Sequence, residues 1–373
     1  MKIAHVVATL PPRPGGMGMV AWHEAMGLVK NGHDVTIFTL RYHGQAAQEI
    51  VAGVTIRRLR GLPRWGDAGL VPQLFWLLRS FDLVHLHYPW YGAEKPFWSA
   101  ALIFKIKYVV TYHMDAAPIG LFKRAVQVIS DTLWARLLLT RAKAVFTVSQ
   151  EHFAGSRFRP LIAPERIVTL PPGVNNELFK PGSVNWAVAG IAPIDQPVIL
   201  FVGNPIPLKR LDFLLHAFAL LENTQTVLVI VGGGYQLSQY QKLAIQLGIA
   251  GRVKFVGAVT DPGRLAQLYR LATCVAVPSL TESFSLVVSE ALSTGCPVVA
   301  MDLPVYHGRV EQGVTGWLVE PSASATQFAA ALEDALMLSL PERQQYATRA
   351  QEKIRNFSWE RHLEVLEQTY KTF

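Results

Sequence analysis

The 373-residue chain has only two cysteines, no low-complexity segment, no Asp-x-Asp motif and no apolar run approaching a membrane span of roughly 18 to 20 residues. Each absence narrows the function. Cys274 and Cys296 lie in strand-like apolar contexts, which favours buried thiols over a disulfide. The apolar stretch FWSAALIFKIKYVV is broken by Lys105 and Lys107. The N-terminal MKIAHVVATL leads into a Pro/Gly loop with no small-residue cleavage pattern, so it reads as a buried strand and not a signal peptide, and the cytosol is the expected compartment. Without Asp-x-Asp, a metal bridging a diphosphate is not expected, and no other cofactor is implied. PPRPGGMGMV is not G-x-G-x-x-G, which removes the main support for nicotinamide binding. No recognition helix, zinc-finger spacing or aromatic RNA-binding strand is present, so only charge speaks for nucleic acid and none is expected as a partner.

Half of the residues are apolar and 17% are charged, the balance of a globular chain, and the length exceeds one comfortable core. Apolar strands are expected at Lys2 to Thr9, Asp34 to Thr39, Val54 to Leu59, Leu83 to His87, Tyr108 to His113 and Ala144 to Ser149. A second series follows at Pro197 to Val202, Thr226 to Val231, Val253 to Gly257, Cys274 to Pro278 and Val298 to Ala300. Helical patterns separate most of them, which is the α/β punctuation of doubly wound parallel sheets. TLPPGVNNELFKPGSVN makes a linker near Pro181, giving domains 1–180 and 181–356 whose sheets face one another across a cleft. The last segment, 357–373, reads as an amphipathic helix capped by Ser358, with Trp359, Leu363, Leu366 and Tyr370 on one stripe; it is expected to return to the first domain as a brace.

Charge is uneven. The first 180 residues carry 21 lysines and arginines against 11 acidic residues, the remainder 14 against 16. A basic first half suits peripheral association with an anionic membrane face, although a scattered solvated surface gives the same count. In GLFKRAVQVISDTLWARLLLTRAK, Leu121, Phe122, Val126, Ile129, Leu133, Trp134, Leu137 and Leu138 mark an apolar side, with Lys123, Arg124, Arg136, Arg141 and Lys143 around it. An interfacial helix and a helix packed on a sheet both fit that pattern.

Several segments carry phosphate chemistry. In PSLTESFSLVVSEALSTGCPVVA, Glu282 falls on the loop Ser279 to Ser283 after a strand, and Glu290 lies on the helix expected over Phe284 to Ser293, stopped by Gly295 and Pro297. A helix start there presents free N–H groups to an anion, and Glu290 would stand about 8 to 9 Å beyond the first turn, the span from a diphosphate to a ribose. GNPIPLKRLDFLLHAF puts Lys209 and Arg210 ahead of a helix beginning near Leu211, where two cations would meet a diphosphate. Gly15 and Gly16 allow close backbone approach before the first helix. Gly232, Gly233 and Gly234 follow one strand, and Gly257 ends another ahead of a helix capped by Asp261. His85 and His87 share one side of a strand, a spacing that more often serves packing and hydrogen bonding than zinc ligation.

Taken in order, these segments resemble the family 4 glycosyltransferases of the GT-B fold over nearly the whole chain. The pattern E-x7-E, preceded by PS and followed by EA and G-x-PVVA, is met by Glu282, Glu290, Ala291, Gly295 and Pro297 to Ala300. PPRPGG, KNGHDVTIFT, DLVHLHYPW, VVTYHMD, FTVSQ, PPGVNNELFKP and VKFVGAVTD follow in register. The resemblance implies retaining transfer of a hexose from a nucleotide diphosphate sugar, a UDP-sugar before a GDP-sugar, to a hydroxyl of a glycan or lipid-linked acceptor in cell-envelope or exopolysaccharide synthesis. It implies that Glu290 holds the ribose and that Glu282 with Ser283, Phe284 and Ser285 holds the donor sugar. Lys209 would neutralise the leaving diphosphate, Gly15 and Gly16 would touch it, and His113 would position or stabilise the sugar. Gly203, Asn204, Arg210, Gly257, Val259, Leu286 and Val287 complete the donor site that the resemblance implies, with no metal among its parts. The acceptor would meet the loops Tyr88 to Lys95 and Met114 to Gly120.

Three positions depart from the family pattern. Asn204 stands where arginine is common, Arg210 replaces the glycine after the lysine, and Ser285 replaces the glycine after Phe284. Arg210 supplies a charge near the one that Asn204 lacks, and a side chain at 285 narrows the approach of the sugar. A sugar-nucleotide epimerase of the same fold and a silent nucleotide-sugar scaffold are the alternative readings; the first lacks a separate acid/base pair.

Overall fold

A computed structural model describes residues 1–11, 13, 15–115, 127–234 and 236–373. The chain forms two compact units, Met1–Pro172 with Trp359–Phe373, and Gly173–Ser358. The boundary thus precedes the expected linker near Pro181. The linker residues are held by the second unit: Val174 N donates to Phe357 O at 2.7 Å, Arg270 donates to the carbonyls of Leu178 and Lys180, and Phe179 packs edge-on to Tyr269.

In the first unit the strands are β1 (Lys2–Val6), β2 (Asp34–Leu40), β3 (Gln48–Val51), β4 (Val54–Leu59), the small hairpin β5 (Arg64–Trp65) and β6 (Ala68–Gly69), β7 (Leu83–Tyr88), β8 (Tyr108–Tyr112), β9 (Val145–Thr147) and β10 (Ile167–Thr169). Eight of them form one sheet in the order β10-β9-β8-β7-β1-β2-β4-β3, parallel except for β3. The central strands are buried on both faces, which is why they read as apolar runs. Edge strands β3 and β10 are exposed or half-buried and carry no such signal, so the sequence reading passes over them. The terminal helix Trp359–Tyr370 packs on the helix Gly16–Lys30 and buries His362, Leu366 and Tyr370.

Of the segment that reads as an interfacial helix, Leu121, Phe122, Lys123, Arg124 and Val126 lie outside the described residues. Its described part does not keep one apolar face. Leu138 is buried while Ile129 and Leu133 are exposed, and a π-helical stretch, Ser130–Ala135, lies between them. The wider π turn rotates the stripe, so residues spaced for one face end on two.

The second unit carries β11 (Val198–Val202), β12 (Val227–Val231), β13 (Val253–Gly257), β14 (Cys274–Val277), β15 (Val298–Met301) and β16 (Gly316–Val319), all parallel, in the order β13-β12-β11-β14-β15-β16. From β11 the chain builds outward to one side through β12 and β13, then returns to build the other side from β14. Such a reversal leaves a crevice outside the carboxyl ends of the two central strands, where open α/β sheets take their ligands. Both units are therefore Rossmann-like, and both cysteines are buried and free.

Candidate functional site

The carboxyl end of β11 runs through Gly203 and Asn204 into a tight turn, Pro207–Lys209, and Arg210 then opens the helix Leu211–Ala219. The carboxyl end of β14 runs through Pro278 to Ser285 into the helix Leu286–Ser293. These are the two exits that flank the reversal, and one ion pair joins them. Lys209 Nζ lies 2.5 Å from Glu282 Oε1, with both side chains mostly shielded from solvent. Two neighbouring exits are drawn onto the same edge: Gly203 N donates to Val231 O and Gly232 N to Gly257 O, each at 2.9 Å. Gly232 is required there, since a Cβ on it would sit 1.9 Å from Gly203 O.

Helix Leu286–Ser293 begins two residues after the expected start at Phe284. Ser285 explains the delay: its φ of +69° breaks the helical run before it can form. Glu290 is consequently about 6 Å along the axis from the first helical residue, shorter than the 8 to 9 Å that the sequence spacing implies. Arg210, at φ +48°, is likewise left-handed. Two of the three departures from the family pattern are thus side chains at positions where backbone geometry favours glycine. Arg210 lays its guanidinium over the Phe213 ring, 3.9 Å from the centroid.

The turn at 284–285 is braced from below by Arg309, a residue that no local pattern marks. It is almost fully buried and donates to the carbonyls of Phe284, Ser285 and Val305 and to Ser289 Oγ, with its guanidinium stacked 3.8 Å from the Phe284 ring centroid. Five contacts thereby fix the backbone on which Ser283 and Ser285 stand. The buried hydroxyls of Ser285 and Tyr306 lie within reach of each other and have no further hydrogen-bond partner, and Tyr306 lies within electrostatic reach of Glu282. Leu286 and Val287 open the helix, half-buried, and Val259 packs against the same core from the loop after β13.

Glu290 is held from the helix Pro262–Leu271, where Tyr269 donates to its Oε2 at 2.7 Å. Loss of hydration pushes the Glu290 carboxyl up to about 7, against the lowering effect of the Tyr269 hydrogen bond. Tyr269 sits on the buried stripe of its helix, so the sequence shows it only as a core aromatic.

In the first unit, Gly15 caps the helix Gly16–Lys30, and both Gly15 and Gly16 are exposed. The glycine that packing demands is Gly18, whose added Cβ would lie 2.6 Å from Thr9 O at the exit of β1. His113 follows β8 and is buried, with Nε2 3.0 Å from His87 Nδ1. Burial drives its pKa down to about 3, so it is a neutral dipole and not a cation. Of the expected acceptor loops, Tyr88 and Tyr91 donate to Asp131, which also pairs with Arg157, and Glu94 accepts from Gly92 N and Ser130. Met114 and Asp115 are described, and the rest of the loop Met114 to Gly120 lies outside the described residues.

Residues 14–178 match the family described as Glycosyltransferase Family 4, and residues 187–353 match Glycosyl transferases group 1. A D-inositol 3-phosphate glycosyltransferase of Mycobacterium avium (strain 104) is 31% identical over 387 aligned positions, covering 96% of this chain and 89% of that protein. The corresponding protein of Nocardia farcinica is also 31% identical, over 95% of this chain and 84% of its own length. Among solved structures, sucrose-phosphate synthase from Thermosynechococcus elongatus superposes with a TM-score of 0.81 at 23% identity over all of this chain and 98% of its own. Anabaena HepE in complex with UDP-glucose superposes with a TM-score of 0.79 at 20% identity, each chain fully covered.

Proposed function

Since this chain belongs to the family 4 glycosyltransferases, of GT-B fold, we propose that it transfers a hexose from a UDP-sugar to a hydroxyl of a glycan or lipid-linked acceptor, with retention at the anomeric carbon and no metal at the diphosphate. The observation that carries this reading is the Lys209–Glu282 pair across the two exits at the sheet reversal, with Glu290 on the helix that follows. The HepE structure holds UDP-glucose, which supports UDP as the first nucleotide to test.

In the mechanism, Lys209 exchanges its partner. Without donor its ammonium is held by Glu282; an arriving diphosphate draws it away, and the Glu282 carboxylate is then free to accept hydroxyls of the donor sugar. The lysine and the N-terminus of helix Leu286–Ser293 stabilise charge on the departing diphosphate. Glu290, oriented by Tyr269, accepts the ribose hydroxyls. In the first unit, His113, neutral, can offer a sugar a hydrogen bond and no proton transfer, and Gly15 and Gly16 present bare backbone to an anion.

The basic first unit would bring the enzyme to an anionic membrane face on the cytoplasmic side; among the described residues no helix is long and apolar enough to cross a membrane. Vesicle cosedimentation that falls with ionic strength supports this docking, and no sedimentation at low salt contradicts it. The transferase reading is tested by incubating the purified chain with radiolabelled UDP- and GDP-sugars and a panel of lipid-linked, oligosaccharide and D-inositol 3-phosphate acceptors. Labelled product with the donor's anomeric configuration is expected. Donor isomerised without acceptor would point to an epimerase, and donor bound without turnover to a scaffold.

A further inference from the structure

Beneath the carboxyl edge of the first sheet lies a cluster of imidazoles around one carboxylate, and the transfer reaction uses none of it directly. His5 on β1 stands in register with His85 on β7, His87 follows two positions later on the same face, and Glu24 comes down from helix Gly16–Lys30. All four side chains are fully buried. Glu24 Oε2 has no hydrogen-bond partner, yet three ring nitrogens surround it: His5 Nδ1 at 3.6 Å, His85 Nδ1 at 3.5 Å and His87 Nε2 at 3.5 Å. His5 Nδ1 and His87 Nε2 are 3.0 Å apart, and each residue offers a ligand atom within 4.8 Å of all the others.

These separations are too long for hydrogen bonds to the carboxylate. The three distances to Glu24 are close to the edge of a coordination tetrahedron, about 3.3 to 3.4 Å for ligands about 2.0 to 2.1 Å from a zinc ion, and the remaining pairs, from 3.0 Å up to 4.8 Å, would even out as the side chains close on the ion. We propose that His5, Glu24, His85 and His87 form a closed, structural zinc site inside the first unit.

Most outer partners fit the same reading: His85 Nε2 faces Thr111 Oγ1 at 2.6 Å and His362 Nε2 lies 2.9 Å from the second oxygen of Glu24, whereas Tyr370 Oη, 2.6 Å from His85 Nδ1, has to turn aside when that nitrogen takes the ion, and His5 Nε2 has no outer partner. Ligation through His87 Nε2 leaves the proton on Nδ1, which donates to His113 Nε2. His113 then carries its own proton on Nδ1, so the metal sets the tautomer of the residue assigned to the sugar. His362 belongs to the terminal helix, and its Nδ1 donates to Pro171 O at 2.7 Å. Metal binding thus also ties that helix to the sheet.

The site is sealed, so the ion enters during folding, and the test is made on full-length chain denatured, stripped with chelator and refolded with or without zinc or cobalt. The proposal expects about one zinc per chain surviving desalting, the visible d–d bands of tetrahedral cobalt, and a higher Tm for the metal-loaded chain. Glu24→Gln and His87→Gln should lose stoichiometric metal, and His362→Gln should weaken affinity roughly 10- to 100-fold. Should those variants fail to fold, X-ray absorption at the zinc edge of the wild-type chain decides: an all-nitrogen-and-oxygen shell with imidazole scattering supports the site, and sulfur ligation overturns it. Sub-stoichiometric metal without cobalt bands in refolded wild type also overturns it, as does full occupancy retained in Glu24→Gln and His87→Gln.

Discussion

Lys209 Nζ and Glu282 Oε1 lie 2.5 Å apart, and each belongs to a loop that leaves one of the two strands between which the second sheet reverses its order. A cation and a carboxylate paired in this crevice suit the proposed donor, which carries both a diphosphate and hydroxyls. Glu282→Gln should therefore lower kcat by orders of magnitude while the Kd for UDP stays within a few-fold of wild type. Lys209→Ala should lower kcat about 10²- to 10³-fold and weaken UDP as well. Calorimetry alongside initial rates separates the two; equal losses of UDP affinity would contradict the roles assigned.

Glu290 supplies a pH test. Its folded carboxyl titrates at about 7, above the ordinary 4.5, so between those values the folded chain keeps a proton that the unfolded chain has released. The contribution of Glu290 to stability therefore falls as pH rises through this window. UDP affinity should change in the opposite sense, strengthening as pH rises through about 7, because the ribose hydroxyls need an ionised acceptor. Glu290→Gln should flatten both profiles and weaken UDP at high pH; a pH-independent affinity in the wild type would remove the carboxylate from the ribose.

Much of this arrangement was legible before the fold was known. The alternating apolar runs at 197–202, 226–231 and 274–278 are strands because both faces are buried, and burial is what an apolar run records. The motif around Glu282 and Glu290 placed both carboxylates on the correct loop and helix. Arg309 and Tyr269 stayed hidden because their importance lies in partners 20 or more positions away, such as Ser289 and Glu290. His5 and Glu24 were hidden for the same reason: strand register and helix docking bring them to His85, and no local spacing does. The domain boundary was displaced because Pro, Gly and Asn mark irregular backbone, whether or not that backbone is packed.

Ser285 tests the cost of departing from the family glycine. At φ +69° a side chain is strained, and the buried Oγ has only the Tyr306 hydroxyl within reach. Ser285→Gly should stabilise the ligand-free chain by about 1 kcal/mol, seen as a raised denaturant midpoint at constant m-value. Arg210→Gly, at φ +48°, should gain less because it also loses the stacking on Phe213. A lowered midpoint for Ser285→Gly would show that the side chain relieves more strain than it causes.

Arg309→Met should be costly. It strips hydrogen bonds from the carbonyls of Phe284, Ser285 and Val305 in a buried site and should destabilise the second unit by about 3 kcal/mol. Chemical denaturation reads the loss, and a change below about 1 kcal/mol would mean that the turn at 284–285 holds its shape without the brace.

The two thiols give a conformational reporter. Burial pushes Cys274 up to about 12 and Cys296 well above its usual range, so neither is a thiolate at neutral pH. A disulfide reagent should label neither in the native chain and both after unfolding; fast native labelling would contradict the buried strand and helix-stop environments described for them.

The most direct measurement is calorimetric titration of the purified chain with UDP, GDP and UDP-hexoses, repeated on Glu290→Gln. A UDP-hexose bound at one site, with affinity markedly reduced in the variant, is the predicted result. Wild-type protein that binds no nucleoside diphosphate, or a variant that binds as tightly as wild type, would contradict the assignment of the second unit as the donor site.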